Sequence, residues 1–418
     1  LDNLKLRFSV GALGNGNVDP YKFLPTMSID KTGVIVGDGQ VNYTSYPGLI
    51  PNNLTWEKVT TYDVGVDVDM FKNRLTIGFD WYRRNTTDMY TVGPTLPEVL
   101  GTTQPKGNYA NLKTKGWELT LSWRDNFKLA GSDFHYGVKF MLWDSQSWIT
   151  KYNNATGKLS DYYEGYRIGD IWGYNIEGLF TSYDEIANHA DQDYIKISDS
   201  KIWQPGDLKF ADLNGDGKID KGAQTLSDHG DLVIVGNEEE RYHYGFNLNV
   251  GWKGIGISAF FQGVGKRDWY PGQETGFFWG KYNRPYGYSL KMHENRWTEE
   301  NPNPNAYWPR LVGYSSENGG RPMGTPNNRY MQDASYLRLK ALTVDYSLPQ
   351  AWVSKLGLTG LKIYFTGENL FTFSNICENF DPEVIKGGDV DLKDRKGEEQ
   401  GYSYPMLKTY TVGLNVSF

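Results

Sequence analysis

The last nine residues, 410–418 (YTVGLNVSF), constrain the fold of this chain more than any other segment. Their apolar side chains alternate with small polar ones, so that Tyr410, Val412, Leu414, Val416 and Phe418 fall on one side and Thr411, Gly413, Asn415 and Ser417 on the other. Because a β-strand has a period of two residues, this pattern predicts a strand with one apolar and one polar face. Such a strand suits the end of a transmembrane β-barrel, and it also suits an ordinary strand of a β-sandwich.

Composition excludes one class of membrane protein. Only 39% of the 418 residues are hydrophobic, the mean hydropathy is -0.58, and no run of about eighteen apolar residues occurs. A helical membrane protein is therefore excluded, whereas a barrel is not, since alternation hides its strands from hydropathy. Aromatic residues reach 15%, which fits the aromatic girdles of a barrel or the binding surface of a carbohydrate-binding β protein.

The charged and reactive residues point to no enzyme. The net charge is -7 and no basic run stands out, which argues against a nucleic-acid partner. The single cysteine, Cys377, excludes an internal disulfide and a cysteine-based zinc site. No nucleophile elbow, zinc-protease motif or phosphate-binding loop is present, and the five histidines are scattered. We therefore predict a protein without catalytic residues.

Alternation recurs along the whole chain. Residues 62–70 place Tyr and Val opposite Asp and Gly, and residues 117–124 place Trp and Leu opposite charged or hydroxyl residues. In the segment from Tyr336 the phase slips near Ala341, as a β-bulge would cause. In total we predict nine further strands, at residues 4–10, 62–70, 75–81, 117–124, 134–142, 242–252, 255–261, 336–348 and 361–371.

The connections between these strands alternate in length. Short ones follow every second strand, and the long ones cover approximately residues 11–60, 84–115, 143–240, 264–334 and 372–406. Outer-membrane barrels have this arrangement, with short periplasmic turns and long extracellular loops, whereas a soluble sandwich has no reason for it. The sequence therefore predicts an all-β chain that forms part of a transmembrane antiparallel β-barrel.

Ten strands with loops of this size are expected to be only part of the wall. An unpaired edge at the first strand would leave backbone groups unsatisfied in hydrocarbon. We therefore expect earlier strands, on an N-terminal portion or on a second chain, to complete the barrel.

Several longer motifs carry a family resemblance over nearly the whole chain, in family order. They are residues 54–90 (a strand pair), 164–180 (EGYRIGDIWGYNIEGLF), 205–220 (PGDLKFADLNGDGKID), 329–349 (RYMQDASYLRLKALTVDYSLP), 366–374 (TGENLFTFS) with the following Asp381–Pro382–Glu383, and 404–418. In these motifs the chain resembles the C-terminal part of the SusC-like TonB-dependent transporters, which are outer-membrane importers of Bacteroidota.

This resemblance implies a location and a set of partners. The chain would supply roughly the last ten strands of a 22-strand barrel in the Gram-negative outer membrane, in contact with outer-membrane lipid. The plug domain and the TonB-contacting segment would lie in the N-terminal portion, through which TonB, ExbB and ExbD would act. A SusD-like surface lipoprotein would serve as lid, and oligosaccharides or oligopeptides as substrate. The alternative class is a soluble extracellular carbohydrate-binding or hydrolytic β protein.

An acidic loop is the sharpest local motif for a metal. Asp212, Asn214 and Asp216 occupy positions one, three and five of a calcium loop, with the Lys218 carbonyl at seven and Asp220 at nine. Ala223 replaces the acid expected at position twelve, which Asp228 or Asp231 could supply. The sequence predicts a structural Ca²⁺ site in an extracellular loop, or else an acidic turn-rich loop without an ion.

One long loop is rich in aromatic side chains. Such rings could stack on a sugar or a peptide, could contact a lid protein, or could pack inside a folded loop. The residues predicted to contact substrate or lid are Trp269, Tyr270, Phe277, Phe278, Trp279 and Tyr282. Aromatic residues near strand ends are instead interpreted as membrane girdles, namely Trp81, Tyr82, Trp123, Trp143 and Tyr242.

Overall fold

The computed structural model describes the chain except for residues 17–23, 51–53, 94–95, 102–103, 196–202, 273–274, 283–286, 312–322 and 386–402. Ten strands form one antiparallel sheet. They are β1 (Asn3–Asn15), β2 (Glu57–Met70), β3 (Leu75–Val92), β4 (Lys106–Leu129), β5 (Ser132–Lys151), β6 (Arg241–Trp252), β7 (Ile255–Lys266), β8 (Tyr336–Ser347), β9 (Gly360–Ser374) and β10 (Thr409–Ser417).

Each strand of this sheet pairs with the strands that precede and follow it in the chain. β1 and β10 are the two outer strands, and all ten alternating segments lie in the sheet, as the sequence predicts. The sheet is thus a continuous meander, the arrangement that a section of a barrel wall requires. The total of 22 strands stays a prediction.

Tight turns close the sheet at one end, here called the turn end. Lys253 and Gly254 join β6 to β7 with φ of 49° and 83°, and Ala130 and Gly131 join β4 to β5 with φ of 48° and 78°. Two central residues with positive φ match the twist of the flanking strands, and glycine adopts that region without strain. The long connections all lie at the opposite end, here called the loop end.

Several strands continue beyond the segments in which alternation is visible. β3 and β4 extend so far that only residues 93–105 lie between them, although residues 84–115 were expected to form the connection. Above Trp81 the side chains on the apolar side are Arg83 and Asn85, so the hydrophobic alternation ends there. Backbone pairing needs no such alternation, and the strands therefore continue past the apolar zone.

The predicted phase slip in β8 is a bulge at Lys340. Phe260 and Phe261 of β7 pair with Ala341 and Leu339, which leaves Lys340 as the extra residue. The β8–β9 register shifts at the same place. Such a bulge turns the side chains of one half of the strand relative to the other half.

The long connections at the loop end contain short elements. Their strands are Ile29–Val36, Gly39–Thr44, Asp170–Gly173, Ile176–Leu179, Leu208–Phe210, Val233–Asn237, Asp268–Trp269 and Gln332–Asp333. Their α-helices are Tyr183–Ala187 and Gly276–Trp279, and their 3-10 helices are Glu98–Leu100, Asp193–Ile195, Gly280–Tyr282 and Lys291–Glu294. The α-helix Gln350–Val353 and the 3-10 helix Ser354–Leu356 lie between β8 and β9 at the turn end. Among the described residues, no helix is both long and apolar enough to cross a membrane.

Candidate functional site

Register makes one side of the sheet mostly apolar, and its carboxylates Asp125 and Asp144 are paired with Arg74 and Arg241. Val66 of β2 lies between Leu6 and Phe79, and Leu119 of β4 lies between Phe79 and Leu142. The same side continues through β6–β9 to the alternating apolar residues of β10. This side, the apolar face, has the composition that contact with lipid requires.

The opposite side, the polar face, carries charged and hydroxyl side chains. Arg7 of β1 donates to Asp67 of β2 and Asp80 of β3, while Asp69 accepts from Thr76. Towards the other outer strand, Lys362 of β9 pairs with Asp345 of β8 at 3.1 Å. Charges on this scale face water, so the polar face is the natural lining of a lumen.

Two aromatic residues interpreted as membrane girdles lie on the polar face instead. Tyr82 is opposite Asp63 and covers Gly116, and Trp143 is opposite Glu118. The girdle interpretation is wrong for these two residues, because an aromatic side chain near a strand end belongs to whichever face its register gives it. Trp81 is directly opposite Trp117 on the apolar face, as a girdle requires.

Trp143 forms a stacked pair with His243 on the next strand. Their ring centroids are 5.2 Å apart and the ring planes differ by 6°. Of the Trp143 surface, 40% is exposed. A flat, water-exposed aromatic surface of this kind can stack on a sugar ring or on a planar peptide group. Sequence reasoning missed this pair, because only the register between β5 and β6 brings the two rings together.

Three of the long connections form a compact unit above the sheet. It is here called the loop body and is defined as the described residues of 152–240, 267–335 and 375–385. Its hydrophobic core joins all three connections: Tyr174 and Phe210 from the first, Trp308 and Tyr330 from the second, and Phe380 from the third. Each connection therefore depends on the other two for its buried contacts.

The aromatic residues predicted to contact substrate or lid lie mostly inside this core. Trp269, Phe278, Trp279 and Tyr282 are buried, and Tyr270 packs against them. Phe277 differs, with 42% of its surface exposed. Burial gives the five core residues an internal packing role. Direct contact with a substrate or lid stays a prediction, and the exposed surface of Phe277 permits such contact.

Two buried tyrosine hydroxyl groups in the loop body are hydrogen-bonded. The Tyr270 hydroxyl donates to the Met323 carbonyl at 2.7 Å and accepts from Asn327, while the Tyr282 hydroxyl donates to the Pro309 carbonyl at 2.7 Å. Burial raises the pKa of both phenols above the ordinary value. These tyrosines therefore stay neutral and fix the loop conformation.

His293 is a second fixed polar group of the same core. One ring nitrogen, Nε2, lies 2.8 Å from the Phe278 carbonyl oxygen, and Nδ1 lies 3.0 Å from the Leu290 amide. Nε2 therefore carries the proton and donates, while Nδ1 accepts. Burial lowers the pKa of this imidazole, so it stays neutral at pH 7.

Ion pairs attach the loop body to the upper part of the sheet. Arg338 of β8, 2% exposed, donates to Asp381 at 2.5 Å and to Glu383 at 2.7 Å, and Lys340 in the bulge donates to Glu383 at 2.8 Å. Arg267 reaches the Pro382 carbonyl from the end of β7. The Asp381–Pro382–Glu383 motif is thus the anchor of the last connection.

The acidic loop is held by hydrogen bonds to its own backbone. Asp212 accepts from Gly215 and Gly217 amides at 2.7 and 2.9 Å. Asp231, almost fully buried, accepts from the Leu213 and Asp220 amides at 2.8 and 2.9 Å.

The six residues predicted as calcium ligands, Asp212, Asn214, Asp216, Lys218, Asp220 and Asp231, thus lie in one region of the loop body. Within the part of the chain that the structure describes, no group of three or more His, Cys, Asp or Glu side chains is placed to hold a metal ion. The side-chain geometry does not supply a metal site, and calcium binding stays a prediction.

Comparison with known proteins agrees with this fold. Residues 2–206 match the family model described as TonB dependent receptor-like, beta-barrel. In these residues, just under half of the chain, the protein is similar to a TonB-dependent receptor β-barrel.

Individual relatives cover the whole chain. TonB-dependent receptor P3 of Formosa agariphila is 29% identical over 99% of this chain and 39% of its own length. TonB-dependent receptor SusC of Bacteroides thetaiotaomicron is 25% identical over 100% of this chain and 38% of its own length. The chain therefore spans about 40% of the length of these curated relatives.

Solved structures share the fold. The RagAB peptide transporter covers 99% of this chain with a TM-score of 0.69 at 22% identity. The RagAB peptide importer in its open-open state covers 100% with a TM-score of 0.70 at 22% identity. In both cases this chain covers about 40% of the matched chain.

Proposed function

We propose that the chain supplies wall and extracellular loops to an energy-dependent importer of oligosaccharides or oligopeptides. The observation that carries this proposal is the separation of the ten-stranded sheet into an apolar and a polar face, with a packed loop body at one end. A wall of this kind separates lipid from an aqueous lumen, and the loop body closes over the lumen from outside.

The proposed partners follow from the resemblance to the SusC-like TonB-dependent transporters. A SusD-like surface lipoprotein would cover the loop body as lid, and an N-terminal portion with plug and remaining strands would complete the barrel. TonB, with ExbB and ExbD, would drive the plug from the periplasm. The RagAB structures are named as a peptide transporter and a peptide importer, which supports import with peptide as one substrate class.

Substrate passage would use the polar face. The Trp143–His243 pair offers a stacking surface and lies beside Glu118, so it suits oligomers that combine flat surfaces with hydrogen-bonding groups. The relatives are receptors and transporters by name, which supports binding and passage over hydrolysis. The relatives named above give no support to the soluble carbohydrate-binding or hydrolytic alternative.

Uptake by cells tests the proposal. A strain lacking the whole transporter gene is grown on either a polysaccharide digest or a protein digest, and depletion of each oligomer from the medium is followed by mass spectrometry. We expect one class of oligomer to stay in the medium and to be imported again after complementation. A protonophore should abolish that import. Equal depletion by all strains would contradict the proposed function.

A further inference from the structure

A row of cations lies on the outward side of the wall, directly above the apolar face. Arg83 of β3 is opposite Lys115 of β4, and Asn85 is opposite Lys113, one step further towards the loop end. The next pair towards the turn end is Trp81 with Trp117. Since alternate residues of a strand share a side, the three cations point the same way as the two tryptophans.

The position of this row along the wall matches the expected level of the outer surface of the membrane. On β4, the outward residues from Phe127 near the turn end to Trp117 are apolar except for Asp125, which pairs with Arg74 at 3.2 Å. Ten residues at about 3.3 Å each, tilted by about 40°, span about 25 Å. This is the height of the lipid-facing band of an outer-membrane barrel. Lys115 and Lys113 are two and four residues beyond Trp117, at the level of lipid head groups.

A groove opens at this height. Its volume is about 310 Å³, and its lining residues are Lys113, Lys115, Trp148, Ile149, Thr150, Glu164 and Gly165. The Lys113 ammonium lies 5.6 Å from the centre of the Trp148 ring, which holds the side chain against the wall. The groove thus combines two ammonium groups, one carboxylate, a hydroxyl group and an aromatic wall.

These cations have no anionic partner within the described chain. Arg83 donates to the neutral Asn85 amide at 3.1 Å, and no ion pair involves Arg83, Lys113 or Lys115 among the described residues. Glu164 lines the same groove but forms no ion pair with either lysine. By contrast, Arg7 and Lys362 on the polar face are paired with carboxylates.

We propose that this groove binds the phosphate group of an outer-leaflet lipid head group. Lys113 and Lys115 would contact the phosphate, Arg83 would extend the positive surface, and the acyl chains would lie over Trp81 and Trp117. Clustered Lys and Arg side chains beside a membrane surface attract anionic head groups, and an aromatic girdle positions the interface below them. The site depends on the barrel fold and is independent of what the transporter imports.

Native mass spectrometry of the whole transporter in detergent tests this assignment. The probes are a phosphorylated outer-membrane glycolipid, its enzymatically dephosphorylated form, and inorganic phosphate as the free-anion source. We expect K113Q/K115Q to bind the phosphorylated glycolipid about tenfold or more weakly than the wild type. The dephosphorylated glycolipid should bind both proteins weakly, and added salt should weaken the wild-type complex.

The matched control is K72Q/K355Q, which removes two exposed lysines at the turn end and changes the net charge equally. This variant should retain wild-type binding. Equal binding by wild type and K113Q/K115Q would overturn the proposal, as would equal affinity for the dephosphorylated lipid. Displacement of the glycolipid by inorganic phosphate at comparable concentration would overturn the assignment to a lipid.

Discussion

Arg7 and Asp80 form an ion pair across an intervening strand, with Arg7 Nη1 2.5 Å from Asp80 Oδ1. Gly65 of that strand is opposite both residues, and the guanidinium passes directly over it. A Cβ atom at Gly65 would lie 2.3 Å from Asp80 Oδ1 and 2.7 Å from Arg7 Cζ. The pair therefore exists because residue 65 has no side chain, and it ties three strands together on the polar face.

The Gly65→Ala substitution should break this arrangement. Its methyl group would displace the guanidinium and leave Asp67 and Asp80 facing each other without their shared cation. We expect the barrel to lose its heat-modifiable gel migration at a lower temperature than the wild type. Gly11→Ala on β1 is the control, since nothing lies within 4 Å of a Cβ there. Equal transitions for both variants would show that the pair adds no stability.

Arg338 should be necessary for anchoring the last connection. Arg338→Met leaves Asp381 and Glu383 without their buried partner, a loss of about 3–5 kcal/mol for a pair of this kind. Arg338→Lys keeps one of the ion pairs, and its loss of stability should be intermediate. The measurement is protease cleavage within residues 375–385 on intact cells. Cleavage at the wild-type rate in both variants would contradict the anchoring role.

His293 should make the loop body sensitive to mild acid. Burial lowers its pKa in the folded state below the ordinary 6.5, so the unfolded state binds the proton more readily. The free energy of unfolding is therefore unaffected by this group above pH 6.5. It decreases as the pH falls from 6.5 towards the lowered pKa of the folded state. The protection factors for hydrogen exchange, which correct for the slower intrinsic exchange at lower pH, should therefore fall in residues 276–282 and 287–294 between pH 7 and pH 5.5.

The matched variant for this effect is His293→Asn, which offers similar hydrogen bonds without a titrating group in this range. The pH dependence assigned to His293 is the difference between the two proteins. A wild-type profile parallel to that of the variant would contradict the assignment.

Asp231 should stabilise the acidic loop with or without calcium. Its two carboxylate oxygens accept from two backbone amides, and Asp231→Asn replaces one acceptor with a donor, at a cost of about 1–3 kcal/mol. We expect proteolysis within residues 203–240 to become faster by the same factor in excess Ca²⁺ and in EGTA. If the substitution mattered only in Ca²⁺, the calcium-site prediction would be supported over the hydrogen-bonded loop.

Trp143 should contribute to substrate affinity within the lumen. Trp143→Ala removes the exposed stacking surface, and we expect the half-saturating oligomer concentration for uptake to rise about tenfold, or about 1.4 kcal/mol. Trp143→Phe should retain most of the affinity. Trp352→Ala, in the helix at the turn end, controls for loss of an exposed tryptophan. Unchanged uptake by Trp143→Ala would remove the stacking pair from the substrate path.

The sequence was sufficient to predict the ten strands because each separates two media. Val66 and Leu119 face one side and Asp67 and Glu118 the other, and a period of two records that difference directly. Alternation stops where the outward side also becomes polar, as at Arg83, and the predicted strands therefore ended too early.

The candidate site was harder to predict, because it depends on contacts between distant segments. Nothing in the sequence near Trp143 indicates the stacking on His243, which requires the register of two strands about a hundred residues apart. Likewise, the aromatic residues around Trp279 share their composition with a binding surface, and only burial identifies them as loop core. Composition gives the kind of side chain available, and long-range pairing decides which face it occupies.

The most direct measurement is the identification by mass spectrometry of every chain that remains with this one after mild detergent extraction from outer membranes. The account predicts an N-terminal portion carrying the plug and the remaining strands, whether continuous with this chain or separate, together with a surface lipoprotein. Recovery of this chain alone, monodisperse without detergent, would contradict it.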